Sequence, residues 1–392
     1  MREVVILSAA RTPVGRFQGG LAGIPAPRLG SLAIAEAVAR AGVAPEDVDE
    51  VIMGNVLAAG LGQAPARQAT LYAGLPIAVR ATTINKMCGS GLKAVMLAQQ
   101  AIASGDADVM VAGGMENMSA APYLLERART GYRLGDDRIV DTILRDGLTD
   151  AYQNIHMGNC AEILAREYRI SRTEQDEYAT LSYKRAIAAM DEGKVADEIV
   201  PVAVPQAKGA AVVVAEDEEP RRVNFEKIPT LRPVFEEGGT VTAANASSIS
   251  DGAAALVVAA AEVARQHGWK PLARIVGQAG AAMAPEWFTI APAHATRALL
   301  EKVGWSKTDV DLIEINEAFA AVVIGVCRDL GASYDRVNVH GGAVALGHPI
   351  GASGARILTT LLYAMPRYEA RRGVASICLA GGEAVALAIE RF

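Results

Sequence analysis

Three motifs in the first part of this chain recur near its end in the same order. They are Asp47–Asn55 repeated as Asp309–Glu317, Ser90–Lys93 repeated as Ser353–Arg356, and Val111–Gly114 repeated as Leu379–Gly382. Each match alone is weak because glycine and alanine are common in this chain, but the shared order at nearly constant spacing indicates a duplication. The sequence therefore predicts two similar halves, residues 1–118 plus 249–270 and residues 271–392, related by a pseudo-twofold axis.

Short apolar runs alternate with alanine-rich helical segments in both halves. The runs are Val4–Leu7, Val51–Met53, Val109–Ala112, Ala254–Ala259, Leu312–Ile315 and Ser376–Leu379. Because such runs between helices are typical of strands covered on both faces, we expect a layered α/β fold. Residues 119–248 break the alternation with a charged helix over Ser171–Glu192 and an acidic run at Glu216–Glu219. We interpret them as a lobe inserted between the halves.

Composition argues against several classes of protein. The 38 basic and 44 acidic residues are mixed along the chain with a net charge of −6, so nothing favours nucleic-acid binding. Cys88, Cys160, Cys327 and Cys378 lie far apart without a CxxC pair, so neither a zinc site nor a disulfide framework is expected. The longest apolar stretch, Ala253–Ala261, is about half as long as a membrane span. With no signal-peptide pattern either, we expect a cytoplasmic protein.

Cys88 is the first candidate for chemistry. It lies in Asn85–Gly91 (Asn-Lys-Met-Cys-Gly-Ser-Gly), immediately before a helical pattern that stops at Gly105. A cysteine at a helix N-terminus is near the positive end of the helix dipole, so we expect a lowered pKa and a larger thiolate population. The neighbouring glycines leave backbone N–H groups free to face an oxyanion. The local pattern equally fits a small buried cysteine in a tight turn.

His348 lies in a second glycine-rich loop that leads into a helix. A phosphate-binding loop is the first alternative, but no Gly-Lys-Ser/Thr follows the glycines, and a lone histidine is more often structural. The repeat favours chemistry, because His348 falls where Asn85 falls in the first half. The two loops should then face each other across the pseudo-twofold axis and bring Cys88 and His348 together as an activated nucleophile.

Two further residues end predicted strands of the second half. Cys378 precedes Ala380-Gly-Gly and has Met110 as its repeat partner, whereas Asn316 begins Asn-Glu-Ala-Phe. Strand ends at the carboxyl edge of an α/β sheet are where ligands bind. Taken singly, each of these two residues also fits a packing or turn role.

Together these motifs resemble the thiolases. The similarity rests on Asn85–Gly91, Asn316–Phe319, Gly347–Gly354 and Cys378 before the final glycines, and it extends from Ala10 to the C-terminus. It implies a duplicated αβαβα fold with two mixed five-stranded sheets and an inserted loop domain, in a homodimer or homotetramer. It also implies a ping-pong acyl transfer between CoA thioesters, with CoA as substrate and product and no metal or redox cofactor.

The resemblance also assigns roles to residues. Cys88 becomes acylated, His348 takes its proton, and Cys378 is the acid/base that handles the α-carbon or the CoA thiol. Asn316 orients a water that binds one thioester oxygen together with His348. A second oxyanion hole uses the backbone N–H groups of Cys88 and Ala380.

Substrate-binding residues follow by motif. Leu148, His156, Met157, Ser247, Ala318 and Phe319 are expected to line the pantetheine tunnel. Arg221 is a candidate for the nucleotide end, with a solvated basic pair as the alternative. Phe288, beside Trp287, is expected to limit the acyl pocket, which favours acetoacetyl-CoA over longer substrates.

Two residues depart from the family pattern. Ala380 stands where a glycine is common, which leaves its N–H available only if the backbone there does not need a positive φ. His340 stands where an asparagine is common, and we interpret it as structural rather than as a second base.

The predicted reaction is the interconversion of two acetyl-CoA with acetoacetyl-CoA plus CoA. The alternatives are a broader-chain 3-ketoacyl-CoA thiolase, a decarboxylating condensing enzyme, and a non-catalytic acyl-CoA or lipid carrier on the same scaffold. Cys378 argues against the condensing enzyme, which uses His/His or His/Asn instead. A carrier is expected to lack one of the two cysteines.

Overall fold

The computed structural model describes residues 2–392. Its strands are β1 (Val4–Arg11), β2 (Gly15–Arg16), β3 (Glu50–Gly54), β4 (Arg80–Ile84), β5 (Val109–Asn117), β6 (Tyr123–Leu124), β7 (Val140–Asp141), β8 (Val202–Val204), β9 (Val212–Val214), β10 (Ser250–Ala260), β11 (Ala273–Ala282), β12 (Leu312–Ile315), β13 (Arg372–Leu379) and β14 (Glu383–Glu390). Its α-helices are α1 (Ala26–Ala41), α2 (Pro65–Tyr72), α3 (Ser90–Ser104), α4 (Met157–Glu167), α5 (Arg172–Asp191), α6 (Ala261–His267), α7 (Ala291–Val303), α8 (Ala320–Leu330), α9 (Ala343–Leu346) and α10 (Ser353–Arg367). All six predicted apolar runs lie in strands.

Ten strands form one mixed sheet in the order β12-β13-β14-β11-β1-β10-β5-β3-β4, with β2 paired to β10. The strands of each half are contiguous in this order. The halves meet where β1 pairs with β11 through two residue pairs, Val5 with Arg274 and Ile6 with Ala273. The two expected sheets are therefore linked edge to edge through a narrow junction.

The second half contributes four strands to this sheet, where five were expected. At its outer edge an isolated parallel bridge joins Ile313 to Val337, where the first half has β4. The chain then turns at Asn338, which has φ 50°. The Asn338 side chain accepts a hydrogen bond from Ile315 N–H and donates one to Ile315 C=O, both at 2.8 Å. One amide side chain thus replaces the ladder bonds that a fifth strand would make, and this is the physical reason that the strand is missing.

Helices and half-sheets alternate in five layers. α3 packs on β3, β5 and β10, and α10 packs on β12 and β13, with the two helices in contact between the half-sheets. α1 covers the outer face of the first half, and α7 covers that of the second. A single buried apolar cluster spans the middle layer, in which Ile6, Leu92 and Leu358 are fully buried. The predicted αβαβα layering is confirmed.

α3 and α10 cross at a pair of glycines that correspond in the repeat. A Cβ on Gly91 would lie 2.7 Å from the backbone nitrogen of Ala355, and one on Gly354 would lie 2.4 Å from that of Leu92. Real Cβ atoms do not approach backbone so closely, so both positions require glycine. This close, reciprocal contact brings the N-termini of α3 and α10 together, and with them the loops of Cys88 and His348.

The residues between β5 and β10 carry α4, α5 and two small two-stranded sheets. The predicted charged helix is confirmed as α5, whose N-cap Ser171 accepts a hydrogen bond from Glu174 N–H. A buried ion cluster fixes this segment to β1, because Arg11 bonds Asp217 at 2.7 Å and Glu198 at 2.8 Å. Among residues 2–392, every helix is too short or too polar to span a bilayer.

Candidate active site

Cys88 ends a short, tightly bonded turn before α3. Met87 has φ 47°, and its N–H donates to Asn85 Oδ1 at 2.9 Å. Ser90, the first residue of the helix, accepts from Lys86 N–H at 2.8 Å and donates to Met87 C=O at 2.6 Å. These bonds hold the strained backbone and aim the Cys88 side chain at the interior, where 8% of the residue remains exposed.

The Cys88 thiol does not have the low pKa that its helix position predicts. Burial raises the pKa of Cys88 to about 11, although the backbone N–H groups of Ala380 and of Cys88 itself oppose that rise. The expectation of an enlarged thiolate population is therefore wrong. The physical reason is that removal of the thiol from water outweighs the effect of the two backbone N–H groups, so the thiol needs a base.

His348 lines the same cavity as Cys88 and is a neutral imidazole. Burial, reinforced by the positive charge of Arg356, lowers the pKa of His348 to about 3. Its Nδ1 lies 2.6 Å from Ser353 Oγ, and its Nε2 lies 3.4 Å from Asn316 Nδ2. Its backbone N–H donates to Ser248 C=O at 3.0 Å. Both ring nitrogens therefore have side-chain neighbours that restrict the orientation of the imidazole.

Asn316 continues β12, with its backbone N–H bonded to Ser376 C=O at 3.0 Å. Its side chain is fully buried, and its Oδ1 has no protein partner within residues 2–392. Buried polar atoms of this kind usually bind water or ligand. Asn316 lies beside the His348 ring, and its Oδ1 could accept a hydrogen bond from the water that the resemblance implies.

Cys378 is the penultimate residue of β13 and is fully buried. Burial raises the pKa of Cys378 well above its usual range, and the charge of Cys88 raises it further. The residues that follow the two cysteines pack against each other, because a Cβ on Gly89 would overlap the side chain of Leu379. The structure therefore brings Cys88, His348, Asn316 and Cys378 into one constellation.

The turn after Cys378 accommodates an alanine. Gly381 and Gly382 have φ of +92° and +85°, whereas Ala380 is not among the residues with positive φ. A Cβ on Gly382 would lie 2.3 Å from Met283 C=O, so that position tolerates only glycine. The left-handed conformation begins one residue after Ala380, so the alanine needs no positive φ, and its N–H acts to lower the pKa of Cys88.

Glu116, which the sequence analysis did not select, connects loops of both halves. Its buried carboxylate accepts hydrogen bonds from Asn55 Nδ2 at 2.7 Å, Val56 N–H at 3.0 Å, Leu57 N–H at 3.1 Å and Gly351 N–H at 2.9 Å. Burial raises the pKa of Glu116 to about 7. The signal that sequence reasoning missed is an acidic residue at the end of an otherwise apolar strand.

Glu317 performs a similar task beside Asn316. It accepts hydrogen bonds from Tyr178 and Ser182 of α5, both at 2.7 Å, and from Asn338 Nδ2 at 2.9 Å. The inserted segment thereby holds the end of β12 in place.

An apolar cavity of about 370 Å³ opens beside the two loops. Its lining includes Cys88, His348 and seven predicted substrate-binding residues, Leu148, His156, Met157, Ser247, Phe288, Ala318 and Phe319. The remaining lining residues, which the sequence analysis did not identify, are Met118, Leu144, Gly147, Val234, Phe235, Thr242, Ala243, Ala246, Ser248, Ile249 and Ile350.

Aromatic rings form part of the cavity wall. The His156 ring stacks on Phe235 at 4.7 Å between ring centroids, and its Nδ1 accepts from Gly158 N–H at 3.0 Å. Burial lowers the pKa of His156. Phe288 is 2% exposed and lines the cavity, whereas the neighbouring Trp287 does not. The His156 ring therefore forms a fixed, flat apolar part of the cavity wall, and the Phe288 ring forms another part of that wall.

Two other candidates lie away from the cavity. Arg221 is paired with Asp191 at 2.7 Å and with Glu216 at 3.4 Å, and it does not contribute to the lining. His340 is buried at a tilted contact with Tyr368, and burial lowers its pKa to about 4. The structure thus does not bring Arg221 to the predicted site, and it gives His340 a place in the packing.

Comparisons with known proteins agree with this geometry. The thiolase N-terminal domain model matches residues 4–262, and the thiolase C-terminal domain model matches residues 269–391. Acetyl-CoA acetyltransferase of Cupriavidus necator is 54% identical, with both chains covered in full. The mitochondrial acetyl-CoA acetyltransferase of Rattus norvegicus is 53% identical over the whole of this chain and 92% of its own.

Solved structures show the same similarity. The crystal structure of Bacillus anthracis acetyl-CoA acetyltransferase superposes with a TM-score of 0.98 at 44% identity, covering 100% of this chain and 99% of the other. That of Acat5 thiolase from Ascaris suum in complex with coenzyme A gives 0.95 at 43% identity, covering both chains in full. Because the two thiolase models together cover nearly the whole chain and relatives more than 50% identical align with all of it, this chain belongs to the thiolase family.

Proposed function

We propose that this protein is an acetyl-CoA acetyltransferase, which condenses two acetyl-CoA to acetoacetyl-CoA plus CoA and catalyses the reverse cleavage. One observation carries the proposal: Cys88 and the neutral imidazole of His348 line one apolar cavity, and a second buried thiol, Cys378, precedes Leu379, whose side chain packs on Gly89 next to Cys88. The similarity to proteins named acetyl-CoA acetyltransferase supports the choice of substrate.

The first half-reaction acylates Cys88. His348 accepts the Sγ proton at Nε2, and the thiolate attacks the thioester carbon of acetyl-CoA. The departing CoA thiolate takes a proton from Cys378 and leaves as CoA, so the acyl-enzyme retains an imidazolium and a Cys378 thiolate. Because the thiol has a raised pKa and the imidazole a lowered one, this proton transfer is unfavourable by itself. It proceeds when substrate spreads the negative charge onto an oxygen that N–H donors stabilise.

The second half-reaction forms the carbon–carbon bond. Cys378 removes a proton from the α-carbon of a second acetyl-CoA, and the enolate oxygen accepts from His348 Nε2–H and from a water on Asn316. The enolate carbon attacks the acetyl group, whose oxygen faces the N–H groups of Cys88 and Ala380. Cys88 leaves as a thiolate and recovers its proton from His348. Each oxyanion donor of this kind is worth about 3–4 kcal/mol.

The apolar cavity would hold the pantetheine arm between His156, Met157 and Phe319, with Phe288 limiting the acyl end. Arg221 remains a candidate for the nucleotide end. Its existing pairs with Asp191 and Glu216 would have to open or be shared for it to bind a phosphate.

Mass spectrometry after incubation with acetyl-CoA tests the proposal. We expect one acetyl group on the Cys88 peptide and the release of one CoA per acetylated chain. Cys88→Ala should abolish both, because alanine offers no nucleophile. The fold should be kept, because one small residue replaces another. Cys327→Ala, which removes a buried thiol outside the cavity lining, is the matched control and should behave like the unmodified protein. No acetylation of Cys88 would leave the non-catalytic carrier as the function.

We also propose that the chain acts as a cytoplasmic homotetramer, with a homodimer as the alternative. Several large apolar side chains between β5 and α4 are exposed, including Leu134, Ile139 and Tyr123, and they would be covered by another copy. Sedimentation of the unmodified protein against a Leu134→Asp variant tests this, and identical monomeric profiles would reject it.

A further inference from the structure

We propose that Ser353 is a positioning residue that holds the proton of the neutral His348 on Nδ1, so that Nε2 is free to act as the base. The inference rests on the proposed function, in which His348 accepts the proton of Cys88. The evidence lies in the first turn of α10, where Ser353 is fully buried.

The hydroxyl of Ser353 has one hydrogen and two neighbours. It donates to Pro349 C=O at 2.9 Å, and its oxygen lies 2.6 Å from His348 Nδ1. A carbonyl oxygen can only accept, so the hydrogen of Ser353 is directed at Pro349. Ser353 then has only lone pairs to offer His348, and the short contact requires an N–H on Nδ1.

The repeat supplies an independent comparison. Ser90 is the first residue of α3, as Ser353 is of α10, and its two partners are backbone groups whose roles are unambiguous. It donates to Met87 C=O and accepts from Lys86 N–H. Both serines therefore direct their hydrogen at a carbonyl of the preceding loop and receive an N–H. In the second half, the imidazole of His348 takes the place of the backbone donor.

The opposite ring nitrogen agrees with this assignment. Asn316 Nδ2 lies 3.4 Å from His348 Nε2, and an amide NH₂ group can only donate. A donor facing Nε2 matches a lone pair there rather than a hydrogen. The hydrogen bond of one imidazole nitrogen sets the protonation of the other.

This arrangement would serve both half-reactions. In the first half-reaction Nε2 can accept the Cys88 proton. In the acyl-enzyme the resulting imidazolium donates a hydrogen bond from Nε2–H to the substrate oxygen. Its Nδ1–H still donates a hydrogen bond to Ser353 Oγ. Without Ser353 the ring is free to place its neutral proton on Nε2, where it cannot act as a base.

The experiment compares Ser353→Ala with Thr359→Val. Thr359 lies on the same helix, is fully buried, and bonds Ala355 C=O through its hydroxyl at 2.9 Å, so it controls for the loss of a buried helix hydroxyl. The rate at which iodoacetamide alkylates Cys88, measured on the Cys88 peptide, reports how well His348 acts as the base. This measurement needs no acyl-CoA. We expect Ser353→Ala to slow it about tenfold to hundredfold, as for a lost hydrogen bond to a charged group, and Thr359→Val to stay within about twofold.

In acetoacetyl-CoA thiolysis, Ser353→Ala should lower kcat by a similar factor and leave the KM for CoA within about twofold. Neutron diffraction of the unmodified protein should show hydrogen on Nδ1 of His348 and none on Nε2. A hydrogen on Nε2 instead, or equal losses in the two variants, would overturn the inference. If the neutron and alkylation results hold but acetoacetyl-CoA is not turned over, the proposed function fails and the role of Ser353 stands.

Discussion

Replacing Phe288 with alanine should extend the range of acyl chains that this enzyme accepts. The ring is 2% exposed, lines the cavity of about 370 Å³, and packs in the same apolar cluster as Met157 and Phe319. An eight-carbon 3-oxoacyl chain carries four more methylenes than acetoacetyl-CoA. Burying them would contribute about 3 kcal/mol, at about 0.8 kcal/mol each. Forcing them against the ring would instead cost about 1–3 kcal/mol.

These magnitudes set the expected selectivity. We expect the unmodified enzyme to prefer acetoacetyl-CoA over 3-oxooctanoyl-CoA by at least about tenfold in kcat/KM, because each 1.4 kcal/mol corresponds to about a factor of ten. Phe288→Ala should raise kcat/KM for the longer substrate by about tenfold to hundredfold. It should also lower the free energy of unfolding by about 3 kcal/mol or more, the usual cost of deleting a buried phenylalanine side chain.

The assay is thiolysis of both substrates at saturating CoA, with urea unfolding in parallel. Trp287→Ala is the matched control, because it removes a ring from the adjacent position that does not line the cavity. Equal or better turnover of 3-oxooctanoyl-CoA by the unmodified enzyme would refute the short-chain reasoning and leave a broad 3-ketoacyl-CoA thiolase. Unchanged selectivity in Phe288→Ala would show that the ring does not limit the pocket.

Three other changes test separate parts of the structure. Cys378→Ala should still acquire an acetyl group on Cys88, although more slowly because CoA must then leave without the proton of Cys378. Its turnover should fall by about 10²–10⁴-fold, as for a lost general acid/base, whereas its repeat counterpart Met110→Leu should keep full turnover. Arg11→Met should lower the free energy of unfolding by about 3–5 kcal/mol in urea denaturation, because it leaves two buried carboxylates unpaired; a loss below about 1 kcal/mol would contradict this. Burial raises the pKa of Glu314 to about 8, so the folded state binds its proton more tightly than the unfolded state and the stability from this group is lost as pH rises toward 8. The Tm of Glu314→Gln minus the Tm of the unmodified protein should therefore be larger at pH 8 than at pH 5. The same Tm difference at both pH values would refute the predicted direction of the pH dependence.

Local and periodic features of the sequence were enough to predict the architecture. Apolar runs identified the strands because a strand covered on both faces needs apolar side chains at successive positions. The repeat predicted that the loops of Cys88 and His348 meet, and the close approach of Gly91 to Ala355 and of Gly354 to Leu92 supplies the physical basis for this. Features that depend on neighbouring residues, or that recur at a fixed spacing, can be predicted before the fold is known.

Burial and distant hydrogen bonds were decided by the tertiary structure alone. The sequence predicted a lowered pKa for Cys88, but enclosure by both halves raises it, because desolvation depends on every atom around the sulfur. Glu116 and Asn338 were missed since their partners come from separate loops and strands. The fifth strand of the second half is missing for a similar reason. The side chain of Asn338, which is distant in sequence, bonds the backbone groups of Ile315 that a strand would otherwise pair. A residue's type and place in the chain determine which contacts it can make, and packing of the whole chain determines which it does make.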